Sequence, residues 1–211
     1  MQTRDHRRIG QYLWKHLAHN ASFGSSIQKA LCRQAFIWGC VEPDINFLTY
    51  FRSMKHSKSP SGHHVPYIFK PILNIFFHLQ ASRTWHSWHY YQLGKAFHYI
   101  VDAFTFCHNE AFAGTLAEHA AYEKQLHDHL SSWLTQAPAP LPVLPMKSLG
   151  SYFKKSHDAY CQCPNASTLE NDCAYMLNVC ACIFFSALLH PYPENQTDLV
   201  LLPKNREGMP V

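Results

Sequence analysis

From Asp5 to His19 the apolar positions Ile9, Tyr12, Leu13 and Leu17 recur three and four residues apart, with His16 among them, and draw one stripe along a helix. A second helix is predicted from Ser25 to Trp38. The stretch from Gly39 to Val65, rich in Pro, Ser, Gly and Lys, is expected to be irregular, and a loop of that length inside a domain is usually functional. Helical periodicity resumes from Pro66 to Ala81 and from Trp85 to Cys107. Gly114 then breaks the chain, and Thr115-Leu-Ala-Glu118 fits a capping box that opens a helix running to Leu134. Prolines 138, 140, 142 and 145 remove amide donors and fix φ, so residues 136–146 are expected to be an extended connector. Ser167-Thr-Leu-Glu170 is a second capping box, for a last helix ending near His190-Pro191. Period-two alternation is essentially absent. The expectation is therefore an all-α fold: a single helical-bundle domain over residues 1–135, the proline-rich connector, and a C-terminal helical extension over 147–211 packed on the body.

With 211 residues, 47% of them hydrophobic and 15% charged, the chain can close a sizeable core, which excludes a disordered tail or a stapled mini-protein. A net charge of +4 is scattered along the sequence, so no strong nucleic-acid footprint is present. Eight cysteines in a chain of this size, behind an N-terminal Met-Gln-Thr-Arg-Asp-His-Arg-Arg that lacks a signal-peptide pattern, suggest reduced thiols and a cytoplasmic protein. The most apolar stretch, Ala174 to Leu189, falls short of the ~20 residues of a membrane span and reads as a buried helix. What departs most from ordinary composition is histidine, sixteen in all, the commonest protein metal ligand.

Those histidines form a pattern. His98 and Asp102 stand four apart, as do His119 and Glu123, and i, i+4 side chains on a helix lie ~5–6 Å apart on one face, close enough to share a divalent ion. His108 lies between the pairs. In a continuous helix it would be rotated ~80° from His98 and sit ~16 Å from His119, so the chain has to turn near Gly114 for the groups to converge. A single His-x-x-x-Asp pair is commonly a surface charge pair. Two on consecutive helices with a histidine at the turn favour a metal site. Cys161-x-Cys163 and Cys180-x-Cys182 are too tightly spaced for a zinc tetrathiolate and read as buried thiols, while the doublets His127-Asp128 and His157-Asp158 lack companion ligands.

The strings Gly39-Cys-Val-Glu-Pro-Asp44, Gly62-His63, Leu93-Gly-Lys-Ala-Phe-His98-Tyr-Ile-Val-Asp102, Cys107-His108-Asn109 and His119-Ala-Ala-Tyr-Glu123 together resemble the bacterial zinc-dependent phospholipase C family over residues 1–134. That family is related in fold and metal set to the single-strand-specific zinc nucleases. The resemblance implies a multinuclear site of two or three Zn2+. One ion would be held by Asp44, His63, His98 and Asp102, with His64 the alternative to His63, and a second by His108, His119 and Glu123. A third would use Asp102, a histidine near the start, and the amine and carbonyl of the first residue; His6 is the candidate histidine and His16 the runner-up.

Two neighbouring zinc ions lower the pKa of a bridging water from 15.7 to about 7, supplying hydroxide for in-line attack on phosphorus. The implied function is phosphodiester hydrolysis of phospholipase C type, with Asp44 as the residue that orients or deprotonates the water. Asn109 and Glu118 are candidates to orient the ligand imidazoles. The aromatic run Trp85 to Tyr91 and the loop residues Phe47, Tyr50 and Phe51 offer a wall for a phospholipid, but aromatics at helical spacing are more often core, and His86 and His89 read as structural. The expected partner is a phospholipid or other phosphodiester, with peripheral membrane contact. A nuclease or small-molecule phosphodiesterase on the same metals is the enzymatic alternative, and a metal-stapled binding protein the non-catalytic one.

Overall fold

In the computed structural model, residues 1–20, 23–46, 65–136, 143–164 and 167–190 are described, and among them every regular element is helical. Helix α1, Thr3–Leu17, buries Asp5, His6, Ile9, Gly10, Leu13 and Leu17 along the predicted stripe. Helix α2, Ser26–Ile45, starts where the Ser25 hydroxyl accepts a hydrogen bond from the Gln28 amide at 3.1 Å.

The expected end of α2 at Trp38 is corrected: the helix continues through Gly39 and Pro43, and Asp44 therefore lies in its last turn rather than on an irregular segment. Gly39 acts as a contact point instead of a breaker. A Cβ built there would fall 2.2 Å from the Tyr91 carbonyl oxygen, and one built on Gly94 would fall 2.2 Å from that of Phe36. Only two facing glycines let the backbones of α2 and α4 (Ser87–Ala103) meet so closely. Pro43 has no N–H to return to the Gly39 carbonyl, a loss the final turn tolerates.

Helix α3, Val65–Ala81, packs on α4. Two histidines begin α4: the His86 Nδ1 accepts from the Trp88 amide at 3.4 Å, and the His89 Nδ1 from the His86 amide at 3.2 Å. Helix α4 stops at Ala103, short of the expected Cys107, because the Asn109 side-chain amide donates to the carbonyls of Ala103 and Thr105 at 3.0 and 2.9 Å and folds the chain back. A 3-10 turn, Phe106–His108, follows. Helix α5, Leu116–Trp133, opens with the Thr115/Glu118 capping box.

Beyond the connector, of which residues 137–142 lie outside those described, come α6, Leu149–Gln162, and α7, Leu169–Leu189. The N-cap of α7 is Thr168, whose hydroxyl accepts from the Asn171 amide at 3.3 Å, one residue later than the Ser167 box implied. Long and apolar enough by composition to cross a membrane, α7 lies mostly buried in the fold. Its Phe184 ring sits 4.8 Å from Phe36, 5.9 Å from Phe97 and 6.2 Å from Trp14, so the chain after the connector shares one core with α1, α2 and α4. Each such buried phenylalanine contributes about 2–3 kcal/mol of transfer free energy. All eight cysteines are free thiols.

Candidate metal centre

Four helices and a turn aim imidazoles and carboxylates at one buried point. Helix α1 supplies His6; α2 supplies Asp44; α4 supplies His98 and Asp102; the 3-10 turn supplies Cys107 and His108; α5 supplies His119 and Glu123. Two groups of ligand atoms lie within 4.8 Å of one another, His6 with His98 and Asp102, and Cys107 with His108, His119 and Glu123. In the first, the His6 and His98 rings stack at 4.0 Å, and Asp102 Oδ1 is 3.2 Å from His6 Nε2 while Oδ2 is 3.4 Å from His98 Nε2. Asp44 borders it, with Oδ1 3.5 Å from His98 Nε2 and Oδ2 accepting from the Thr3 hydroxyl at 2.8 Å. In the second, His108 Nε2 is 3.3 Å from Glu123 Oε1, and His119 Nδ1 is 3.8 Å from the same oxygen.

The amine of Met1 lies between the two groups. It donates to Asp102 Oδ1 at 3.0 Å and stands 2.6 Å from His108 Nε2 and 2.9 Å from Glu123 Oε1. Burial disfavours its charge, yet Asp102 and Glu123 outweigh that and hold its pKa up to about 11. Burial likewise pushes both carboxyls upward. The Met1 ammonium, followed by His108 and His6, overcomes it at Asp102 and holds that acid well below its usual range. At Glu123 the hydrogen bond to His108 and the ammonium bring the value to about 2. Burial, the largest effect, lowers both His108 and His119. At Glu123, a carboxyl held ionised beside two imidazoles whose charge burial disfavours suits zinc ligation.

Unspent ligand capacity provides the test of fit. Among the described residues, His6 Nδ1 and His119 Nε2 are buried without a hydrogen-bond partner, which costs free energy unless a further group binds them. The His98 Nδ1–H donates to the Cys40 carbonyl at 3.1 Å, which fixes the tautomer and turns the Nε2 lone pair toward Asp44 and Asp102. Nitrogen, carboxylate and one thiol donors suit Zn2+, and the residues present fit it.

Of the residues singled out from sequence, His6, Asp44, His98, Asp102, His108, His119 and Glu123 are brought together, whereas His63 and His64 lie outside the described residues, as do Phe47, Tyr50 and Phe51. His16 is apart from the cluster, with its ring against Tyr12 at 4.9 Å. Glu118 does not orient a ligand: its carboxylate is committed to the Thr115 cap at 2.6 and 2.8 Å and is exposed. Cys107 was not foreseen as a possible ligand, although its adjacency to His108 was the available signal.

A surrounding layer fixes these side chains. Asp5, next to His6, is fully buried and accepts from His127 Nδ1–H of α5 at 2.5 Å, while Arg8 donates to the Ser131 hydroxyl at 2.9 Å, so α1 and α5 are pinned on both sides. His157 of α6 donates to Asn109 Oδ1 at 3.0 Å and thereby steadies the turn that bears His108. Asp172 of α7 accepts from the Tyr160 hydroxyl at 2.6 Å, and from the Tyr122 hydroxyl and the Phe106 amide at 2.9 Å each. It thus ties α7 to the residue preceding Glu123 and to the start of the 3-10 turn. Burial pushes the Asp172 carboxyl up to about 7 against the downward pull of those hydrogen bonds.

The family model of zinc dependent phospholipase C matches residues 5–174, a span that contains all seven converging residues, crosses the connector and enters α7. No curated protein and no solved structure gives a significant match.

Proposed function

The chain belongs to the zinc-dependent phospholipase C family, which makes it a phospholipase C-like, zinc-dependent hydrolase, and we propose that it cleaves the head-group phosphodiester of a phospholipid at the cluster around Met1. The observation that supports this most is the convergence of seven imidazole and carboxylate side chains, drawn from α1, α2, α4, α5 and the 3-10 turn, on one buried point with ligand atoms left unpartnered. His6, His98, Asp102 and Asp44 would hold zinc on one side, and His108, His119 and Glu123, with Cys107 beside them, on the other. When bound, zinc supplies Lewis acidity that activates water and offsets charge on the phosphoryl oxygens.

The chain's own contribution is placement. Water adds its oxygen to phosphorus, the bond to the diacylglycerol oxygen breaks, and that oxygen leaves with a proton. Asp44 is suited to accept the proton lost by water at Oδ1, because Thr3 anchors Oδ2 and Asp44 is the more exposed of the two aspartates at His98. Asp102, 1% exposed and shared by His6, His98 and Met1, keeps the interior of the site anionic and dry.

Turnover by zinc-loaded protein tests the reading with phosphatidylcholine, single-stranded DNA and bis-p-nitrophenyl phosphate as parallel substrates. Release of diacylglycerol and phosphocholine is expected, and Asp44→Asn is expected to lower kcat by about a hundredfold or more. Turnover of DNA without phospholipid would replace the reading with a nuclease. Failure on all three would overturn it.

A further inference from the structure

The outer faces of α1 and α2 have a composition that neither the core nor the metal cluster explains. Ile27, Leu31, Gln34, Trp38, Val41 and Ile45 recur at alternating spacings of four and three along α2, and Ile27, Leu31, Trp38 and Ile45 are 72, 60, 50 and 55% exposed. Apolar side chains in a row are ordinarily turned inward; here Val41 is buried, but Ile27, Leu31, Trp38 and Ile45 face out, with Gln34 among them. On the same two helices Arg4, Arg7, Lys15 and Arg33 are exposed, and Arg7 and Arg33 flank the stripe. The acids of α1 and α2 are Asp5 and Glu42, both buried, and Asp44 at the metal cluster, so no exposed carboxylate offsets these cations.

Between the helices is a cleft of about 180 Å³ lined by Arg7 and Gln11 of α1 and by Arg33, Gln34 and Trp38 of α2, over a floor of Ile37 and Val41. Among the described residues, no salt bridge engages Arg7 or Arg33. Two guanidinium groups and two amides converging beside an indole match a phosphate oxyanion whose attached chain continues into an apolar phase. Tryptophan favours that boundary, and an amphipathic helix with basic flanks lies in it.

We infer that the α1–α2 face is a docking surface for an anionic phospholipid bilayer, with a lipid phosphate seated between Arg7 and Arg33 and Trp38 inserted at the interface. The face is carried by α1 and α2, the same two helices that supply His6 and Asp44 to the metal cluster. Net positive charge without exposed acid selects anionic over zwitterionic lipid, at about a fivefold gain in partitioning for each basic side chain near the surface. The inference rests on the phospholipid reading of the substrate for its purpose, while its physical basis is the face itself.

Full-length, zinc-loaded protein sedimented with phosphatidylcholine vesicles, with and without added phosphatidylserine, provides the test. Turnover is measured separately on a short-chain phosphatidylcholine kept monomeric. Binding to the anionic vesicles that weakens with salt is expected, and an Arg7→Gln/Arg33→Gln double variant is expected to lose about 25-fold in partitioning, with an unchanged thermal melt. Trp38→Ala is expected to weaken binding to both vesicle types. Equal binding of the wild type to neutral and anionic vesicles, or wild-type partitioning by the double variant, would overturn the proposal. A concentration-dependent dimer dissolved by Trp38→Ala would overturn it in favour of a second copy of the chain. Saturable binding of inorganic phosphate without vesicle binding would overturn it in favour of a free anion. Vesicle binding without turnover of the monomeric lipid would instead refute the phospholipase reading and leave the docking surface standing.

Discussion

Replacing Gly39 with alanine reverses the usual effect of that substitution. In the interior of a helix, Gly→Ala stabilises by about 1 kcal/mol through backbone entropy and solvation, and that is the expectation if α2 only skirts α4. The new Cβ, however, would lie 2.2 Å from the Tyr91 carbonyl oxygen and 3.0 Å from the Gly94 Cα, contacts made by backbone that has no side-chain freedom to give way. Relief requires the two helices to part by roughly 1 Å, an overpacking that costs about 1–3 kcal/mol or more and outweighs the propensity gain. The consequence reaches the site, because Asp44 is five residues beyond Gly39 and His98 four beyond Gly94, and the 3.5 Å approach of Asp44 to His98 depends on that same contact. Urea unfolding of the zinc-free variant, followed by zinc titration, is the assay. Lower stability together with weaker zinc binding is expected. A Gly39→Ala protein that is more stable by about 1 kcal/mol, with wild-type zinc affinity, would refute the close-contact reasoning.

Asn109→Ala removes both hydrogen bonds that close the turn after α4 and is expected to weaken zinc binding by about 10–100-fold with helicity by circular dichroism retained. His127→Ala leaves the Asp5 carboxylate buried with Arg8, at 3.7 Å, as its one ion-pair partner among the described residues, and is expected to lower stability by about 3 kcal/mol in urea unfolding. Asp172 has a folded-state pKa raised from 3.8 to about 7, so its contribution is fully present below the unfolded value and is lost as pH rises through the folded one. The stability of wild type relative to Asp172→Asn is therefore expected to fall by something on the order of 4 kcal/mol between pH 4 and 7 and to level off above, which urea melts across that range would measure.

The i, i+4 pairs His98/Asp102 and His119/Glu123 were legible in the sequence because their geometry is set by a single helix, and the Thr115 box was legible because a cap depends on four consecutive residues. Local rules put Asp44 on a loop, since Gly39 and Pro43 are breakers, and what reverses their meaning is Gly94, distant in the sequence. His127 and His157 looked like ligands without companions. Their partners, Asp5 and Asn109, lie 122 and 48 residues away, and no spacing rule links such positions. The outward-facing stripe on α2 was hidden for the same reason: its apolar period is visible in sequence, but which face meets solvent is decided by α1 and α4.

Metal content by plasma mass spectrometry, on protein purified without chelator or a metal-binding tag, tests the cluster most directly. Two or three zinc per chain, lost from a His98→Ala/His119→Ala variant that keeps its helicity, is the expected result. Protein that takes up no zinc even after incubation with excess metal, while folded, would mean that these side chains converge for a structural reason alone.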